Sequence, residues 1–210
     1  IMMNNQINNC PVCHSTNWEQ DEGAGKLLGL SSTYQVLACS NCKLRRLHPQ
    51  LNQDELNDLY SQGYFNSASL EKSKQEFEFP ENYMDVVIGR HEKFYQVVME
   101  LKDLFPSAKN FLDVGAATGD MVHIARKAGF NADGIELSKF AVDQAKKNFG
   151  IVLKNIEISE VLDSQYDIVH LNHVFEHFND PVAELNHLFR IINNGGGLYF
   201  DPEEEEDCSD

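Results

Sequence analysis

No stretch of the sequence approaches the roughly 20 consecutive apolar residues that a membrane-spanning helix needs, so no membrane partner is expected. The polar start, with Asn4, Asn5, Gln6, Asn8 and Asn9, lacks the apolar core of a signal peptide, and a cytoplasmic setting is the expectation. Basic residues are scarce: 17 Lys and Arg face 33 Asp and Glu, a formal net charge of −16. That balance argues against a broad electrostatic grip on nucleic acid or anionic lipid. Part of the excess is local, because Asp201 to Asp210 holds seven acids and no base. Residues 202–210 therefore read as a solvated acidic tail.

What is present begins with cysteine. Four of the five cysteines form two pairs, Cys10-Pro11-Val12-Cys13 and Cys39-Ser40-Asn41-Cys42. Each C-x-x-C sets two thiolates on one knuckle, and two knuckles complete the tetrahedral sulfur shell of a structural zinc ion (Zn2+). The β-like runs Leu27 to Leu30 and Thr33 to Ala38 predict a hairpin that brings the knuckles together. A closed four-sulfur site has no open position for chemistry, so the ribbon over residues 1–50 is expected to be structural. Redox work by the two pairs is the rival reading. His14 is expected to be a neighbour rather than a ligand, and Cys208 receives no role.

Residues 51–105 read as a helical connector followed by an N-terminal helix. Asn52 with Glu55 three later forms a capping-box pattern for a short helix through Tyr60. The aromatics Tyr60, Tyr64 and Phe65 are expected to dock this linker. Val87, Ile88, His91, Phe94, Tyr95, Val98, Leu101 and Phe105 recur at helical spacing, and Pro106 ends the helix. His91, on the apolar face, is expected to be a packing histidine.

From residue 106 to 201 strand and helix patterns alternate. Phe111–Val114 is a strand, and a helix runs from the following turn to Gly129. Ala132–Glu136 ends a second strand, and Ser138 caps a helix through Phe149. Ile151–Leu153 is expected as a short third strand and Tyr166–Leu171 as a buried fourth. Asp180-Pro181 opens a helix carrying Leu185, Leu188, Phe189 and Ile192. Glycines 195 to 197 stop it, and Leu198 to Phe200 forms a fifth strand. Such alternation predicts an α/β fold, a Rossmann-like and mostly parallel sheet with flanking helices, preceded by the small zinc ribbon.

The turn after the first strand is Gly115-Ala116-Ala117-Thr118-Gly119. Here too something is missing. A dinucleotide fingerprint places a second glycine two residues after the first, where backbone meets pyrophosphate, and Ala117 stands there. The acid that ends the second strand, Glu136, is present and suits the two hydroxyls of a ribose. A ribose reader without a pyrophosphate cradle points to adenosine without phosphates.

Asp113-x-Gly115-x-x-x-Gly119, Glu136, Tyr166-Asp167-Ile168-Val169, Glu176-His177-Phe178-x-Asp180-Pro181 and Gly195-Gly196-Gly197-Leu198 together resemble class I S-adenosylmethionine-dependent methyltransferases. The cysteine pairs, His48-Pro49 and Tyr60-x-x-x-Tyr64-Phe65 resemble the zinc-ribbon preface of one bacterial subgroup, often linked to cell-surface glycan or secondary biosynthesis. The resemblance implies S-adenosylmethionine as cofactor and a small-molecule or glycan-type acceptor. It implies that Gly115, Ala116 and Gly119 approach the methionine part, with Asp113 supporting the turn. Glu136 would hold the ribose, Leu137 flank the adenine, and Asn155 and Ile156 contact the adenine edge. Asn172 would face cofactor and acceptor.

For a hydroxyl acceptor, His173 and then His177 are the candidate bases. His173-Val174-Phe175-Glu176-His177 also has the H-x-x-E-H form of a zinc protease motif; on a helix its three polar residues would share one face. The competing expectation is that Glu176 and His177 cap and orient the following helix. Family members normally add two strands after the fifth, which this chain does not show. The expectation is a fragment, or a fifth-strand edge closed by a second copy as a homodimer. The rival functions are a dehydrogenase and a catalytically inactive interaction module.

Overall fold

The apolar runs of the second half fold as strands because both faces of the sheet they build are covered. In a computed structural model of the chain, the described residues are 9–27, 33–51 and 83–201. They divide into two compact units.

The first unit carries β1 (Trp18–Gln20), α1 (Glu22–Leu27), β2 (Gln35–Cys39) and β3 (Arg45–His48), with the strands in antiparallel order β1-β2-β3. Asp21 caps α1 by accepting from the Ala24 N–H at 3.0 Å and also pairs with Arg45. The expected hairpin differs: β2 is one of its arms, but Leu27 closes a helix, and residues 28–32 lie outside the described set. The partners of β2 are instead the strands that follow the first knuckle and the second.

The second unit starts with α2 (Tyr83–Leu104). It continues through β4 (Asn110–Val114), α3 (Asp120–Lys127), β5 (Asn131–Ile135), α4 (Lys139–Phe149), β6 (Tyr166–Asn172), α5 (Pro181–Ile191, of which the part up to Ala183 belongs to the first unit) and β7 (Ile192–Asp201). The sheet order is β5-β4-β6-β7, all parallel. One face packs Phe111, Ala132 and Ile168 against Val98 and Leu101 of α2 and Val122 and Ala125 of α3. The other packs Leu112, Val169 and Leu171 against Leu188 and Ile191 of α5. Burying each such side chain contributes about 1.5–3 kcal/mol.

Several expectations need correction. Ile151–Leu153 is not a strand. Ile151 and Leu153 are buried, but pairing with β5 shrinks to a single parallel bridge between Ile135 and Lys154. The glycines that were to stop α5 lie inside β7, which begins at Ile192 and accommodates them in a register shift opposite Tyr166–Ile168. Tyr95 and Phe189 are exposed, each sitting off the stripe that its helix buries; Val97 joins the α2 stripe instead. The connector residues 52–82 and the tail 202–210 lie outside the described set.

The helix ends follow local chemistry. Ser138 accepts from the Ala141 N–H at the start of α4, and Gly150 closes it in a left-handed conformation. Asp180 accepts from the Ala183 N–H at 3.0 Å and caps α5.

Candidate functional site

The four cysteines meet as their spacing predicts. Two knuckles repeat one geometry. The Cys10 N–H donates to Ser15 O and the His14 N–H to Cys10 O; the Cys39 N–H donates to Leu44 O and the Lys43 N–H to Cys39 O. His14 and Lys43, at matching positions, both take a left-handed φ, 60° and 64°. These folded-back loops lay Cys10 Sγ 3.5 Å from Cys42 Sγ and Cys13 Sγ 3.5 Å from Cys39 Sγ. All four sulfurs lie within 4.8 Å of one another. A tetrahedron with zinc–sulfur bonds of about 2.3 Å has edges of about 3.8 Å, so the cluster fits a structural zinc. The Asn41 side chain, then the Ser15 N–H, lower the Cys13 thiol to about 6, which favours a ready thiolate ligand.

In the second unit the glycine turn joins β4 to α3 at the carboxyl ends of the strands, where ligands bind in open α/β sheets. Gly115 has φ +67, and a Cβ there would stand 2.4 Å from Val174 Cγ2. Gly119 has φ +83, with a Cβ position 2.9 Å from Ala145. Neither position admits another residue without displacement. Ala117, which replaces the second glycine, itself takes φ 44.

Glu136 follows β5 directly. Its carboxylate accepts from the Ala117 N–H at 2.9 Å and from the Ser138 N–H at 2.7 Å. The acid is thereby pinned against the glycine turn. Burial raises its pKa; the N–H groups of Ser138, Ala117 and Leu137 oppose that rise without cancelling it. Leu137 beside it is exposed. The Asn155 amide donates to Glu136 O and Leu137 O, both at 2.8 Å, so this side chain shapes the loop that carries the acid.

Two further acids near the turn are held by histidines. Asp120, at the start of α3, accepts from Thr118 Oγ1 at 2.6 Å and lies 2.7 Å from His91 Nε2. His91 thus packs beside Phe149, with ring centroids 6.3 Å apart, and also meets Asp120 by hydrogen bond. Asp113, at the end of β4, lies 2.7 Å from His170 Nδ1, and both are buried. His170 was not singled out from the sequence, although a histidine inside an apolar strand was the available signal.

Further along the chain, Asn172 ends β6 and His173 follows with φ 52. His173 Nδ1 is 3.9 Å and His177 Nε2 4.0 Å from Glu176 Oε1. The three side chains are partly exposed and lie together. They do not share a helix face, because His173 lies outside the short 3-10 turn Phe175–His177. Phe175 of that turn stacks on Phe200 of β7 at 5.2 Å.

This geometry agrees with what the chain resembles. A family model described as a methyltransferase domain matches residues 88–205, and the chain belongs to that family. The fold and glycine turn define a class I S-adenosylmethionine-dependent methyltransferase domain. The chain is 28% identical over 99 residues to the ubiquinone biosynthesis O-methyltransferase of Coxiella burnetii, covering 44% of this chain and 42% of that one. A counterpart from Methylococcus capsulatus is 26% identical over 102 residues, 45% of this chain and 43% of its own length. The chain thus spans less than half the length of the curated relatives it matches. Among solved structures, magnesium protoporphyrin IX methyltransferase from Synechocystis with bound S-adenosylmethionine aligns with a TM-score of 0.51 at 18% identity. It covers 69% of this chain and 74% of that one. An amino pentose methyltransferase from Micromonospora echinaspora aligns with a TM-score of 0.50 at 20% identity, covering 62% and 59%. No helix among the described residues is long and apolar enough to cross a membrane.

Proposed function

We propose that this domain binds S-adenosylmethionine at the glycine turn and transfers its methyl group to a hydroxyl of a small-molecule or glycan-type acceptor. The observation that carries the reading is Glu136, pinned by backbone N–H groups against a turn that lacks the pyrophosphate glycine. A carboxylate so oriented keeps lone pairs for two ribose hydroxyls. In this reading Gly115, Ala116 and Gly119 lie along the methionine part, over Asp113. Leu137, Asn155 and Ile156 frame the adenine, and Asn172 lies between cofactor and acceptor. The bound cofactor supplies an activated methyl on a sulfonium with a neutral leaving group. The protein's share is then positioning, which can supply most of the acceleration.

His173 is the first candidate to accept the hydroxyl proton and His177 the second. Glu176, about 4 Å from both, orients and stabilises whichever ring becomes charged. The O-methyltransferase name of the curated relatives supports a hydroxyl acceptor. The zinc ribbon contributes folding rather than chemistry. β7 is an edge strand among the described residues, with Phe200 exposed. We assign that edge to pairing with a second copy, and a light-scattering mass of one chain removes this part of the proposal.

Calorimetry tests the cofactor reading. Wild-type protein is expected to bind S-adenosylmethionine with micromolar-range affinity, and Glu136→Ala to lose roughly 10- to 100-fold, the worth of hydrogen bonds to a charged group. Wild-type protein indifferent to both S-adenosylmethionine and S-adenosylhomocysteine would falsify the proposal.

A further inference from the structure

We propose that His170 holds Asp113 as an anion beneath the glycine turn, so that the site favours a positively charged sulfonium over its neutral thioether product. The inference rests on the reading of the turn as an S-adenosylmethionine site. Its starting point is a polar pair in an apolar layer. In the sheet register Gly134, Asp113, His170 and Tyr199 form one row across β5, β4, β6 and β7. The side chains of His170 and Asp113 are 1% and 5% exposed. Phe111 and Tyr199 lie against the His170 ring, at 6.0 and 5.6 Å between centroids, the latter nearly parallel at 8°.

A carboxyl in such a layer sheds its proton only if a donor meets the anion. Burial raises the Asp113 pKa, and the hydrogen bond from His170 opposes that rise without cancelling it. In the proposed arrangement an uncharged His170 ring donates Nδ1–H to the Asp113 carboxylate, and the pair carries one net negative charge. Two further carboxylates border the same turn. Asp120 is held by Thr118 and His91, and Glu136 by the N–H groups of Ala117 and Ser138. They lie close enough that Asp120 raises the pKa of Asp113, and Asp113 raises that of Glu136. Among the described residues no Lys or Arg pairs with any of the three. The turn is therefore bordered by acids held by hydrogen-bond donors and histidines, and a ligand bearing a net positive charge gains most from it.

S-adenosylmethionine carries one more positive charge than S-adenosylhomocysteine and otherwise differs by a methyl group. A purely structural role for the buried pair would weaken both ligands alike. Loss of its charge weakens the sulfonium selectively. The experiment titrates both compounds into full-length wild type and His170→Phe, which keeps the ring against Tyr199 and removes the donor. The expected result is a fall of about tenfold in the ratio of S-adenosylmethionine to S-adenosylhomocysteine affinity, of the size expected for one partly buried unit charge several ångströms away. S-adenosylhomocysteine affinity is expected to stay within about twofold. His170→Asn, which retains a donor, is expected to restore most of the ratio.

Should His170→Phe not fold, Asp113→Asn removes the charge while keeping a hydrogen-bonding side chain, and the same fall is expected. Equal losses for the two ligands, or an unchanged ratio, overturn the inference and leave the cofactor reading standing. A wild type that binds neither compound overturns the cofactor reading itself.

Discussion

The ribbon and the sheet are held together by different physics. In the ribbon unit the buried hydrophobic residues among those described are Val36 and Leu37 with the two metal-facing cysteines Cys10 and Cys39. Two aliphatic side chains contribute about 3–6 kcal/mol, whereas ordering the backbone costs about 1–2 kcal/mol for every residue. Such a unit needs a cross-link, and the cysteine cluster provides the ligands for one. The sheet unit instead buries two apolar layers, one on each face. A fold built on four ligands fails when one is lost. A fold built on layers loses stability by increments.

The largest effect expected from breaking this contrast is on the ribbon. Structural zinc contributes about 10–16 kcal/mol of apparent binding free energy in zinc-finger peptides. Chelation, or Cys39→Ser, is therefore expected to unfold the ribbon while the sheet unit stays folded. Metal analysis should find about one zinc per wild-type chain, and amide exchange should show protection lost in β1 to β3 alone. Loss of protection in β4 and β6 at the same time would sink the idea of two separately stabilised units.

A smaller effect is expected in the sheet. Phe111 is fully buried between the helices of one face and its strand neighbours. Phe111→Ala is expected to cost about 3–5 kcal/mol in denaturant unfolding of the second unit, with zinc content unchanged. A cost below 1 kcal/mol would show that the face is loosely packed.

The smallest effect sharpens the difference between a sealed metal site and a titratable cofactor site. Glu136 has its pKa raised by burial. Its charge-related contribution to the stability of the empty protein is thus present at low pH and lost as pH rises through the raised value. Cofactor binding runs the other way, because ribose hydroxyls meet the ionised form. Affinity is expected to fall by up to about tenfold per pH unit as pH drops below that raised value, with a proton released on binding near it. Glu136→Gln should flatten the profile; a slope that survives in this variant assigns the titration elsewhere.

The local signals were legible where a residue's role depends on spacing alone. The two C-x-x-C pairs announce one cluster because each knuckle needs only its own loop. Ser138 and Asp180 announce helix starts because a cap bonds within three residues. The glycine turn and Glu136 were legible for a related reason, each sitting at a strand end. Ile151–Leu153 misled because apolar residues that plug a core look like a strand when hydrogen-bond partners are unknown. The glycines of β7 misled because a helix stop and a strand irregularity use the same residue. His170 was passed over because nothing in its neighbourhood along the chain reveals Asp113, 57 positions away.

The alternation of strand and helix from residue 106 onward, the cysteine cluster and the glycine turn follow from the sequence by itself, since each is written in residues near one another in the chain. Only the tertiary structure decided how the acids around the turn are held. Asp113 meets His170 because β4 and β6 align in register, Asp120 meets His91 because α2 packs beside α3, and Glu136 meets Ala117 because β5 ends beside the turn. The glycine turn is set by residues adjacent in the chain, whereas the acids around it are held by strands and helices brought together by burial. Burial is also what raises the pKa of Asp113 and Glu136, an effect that no stretch of neighbouring residues in the chain could reveal.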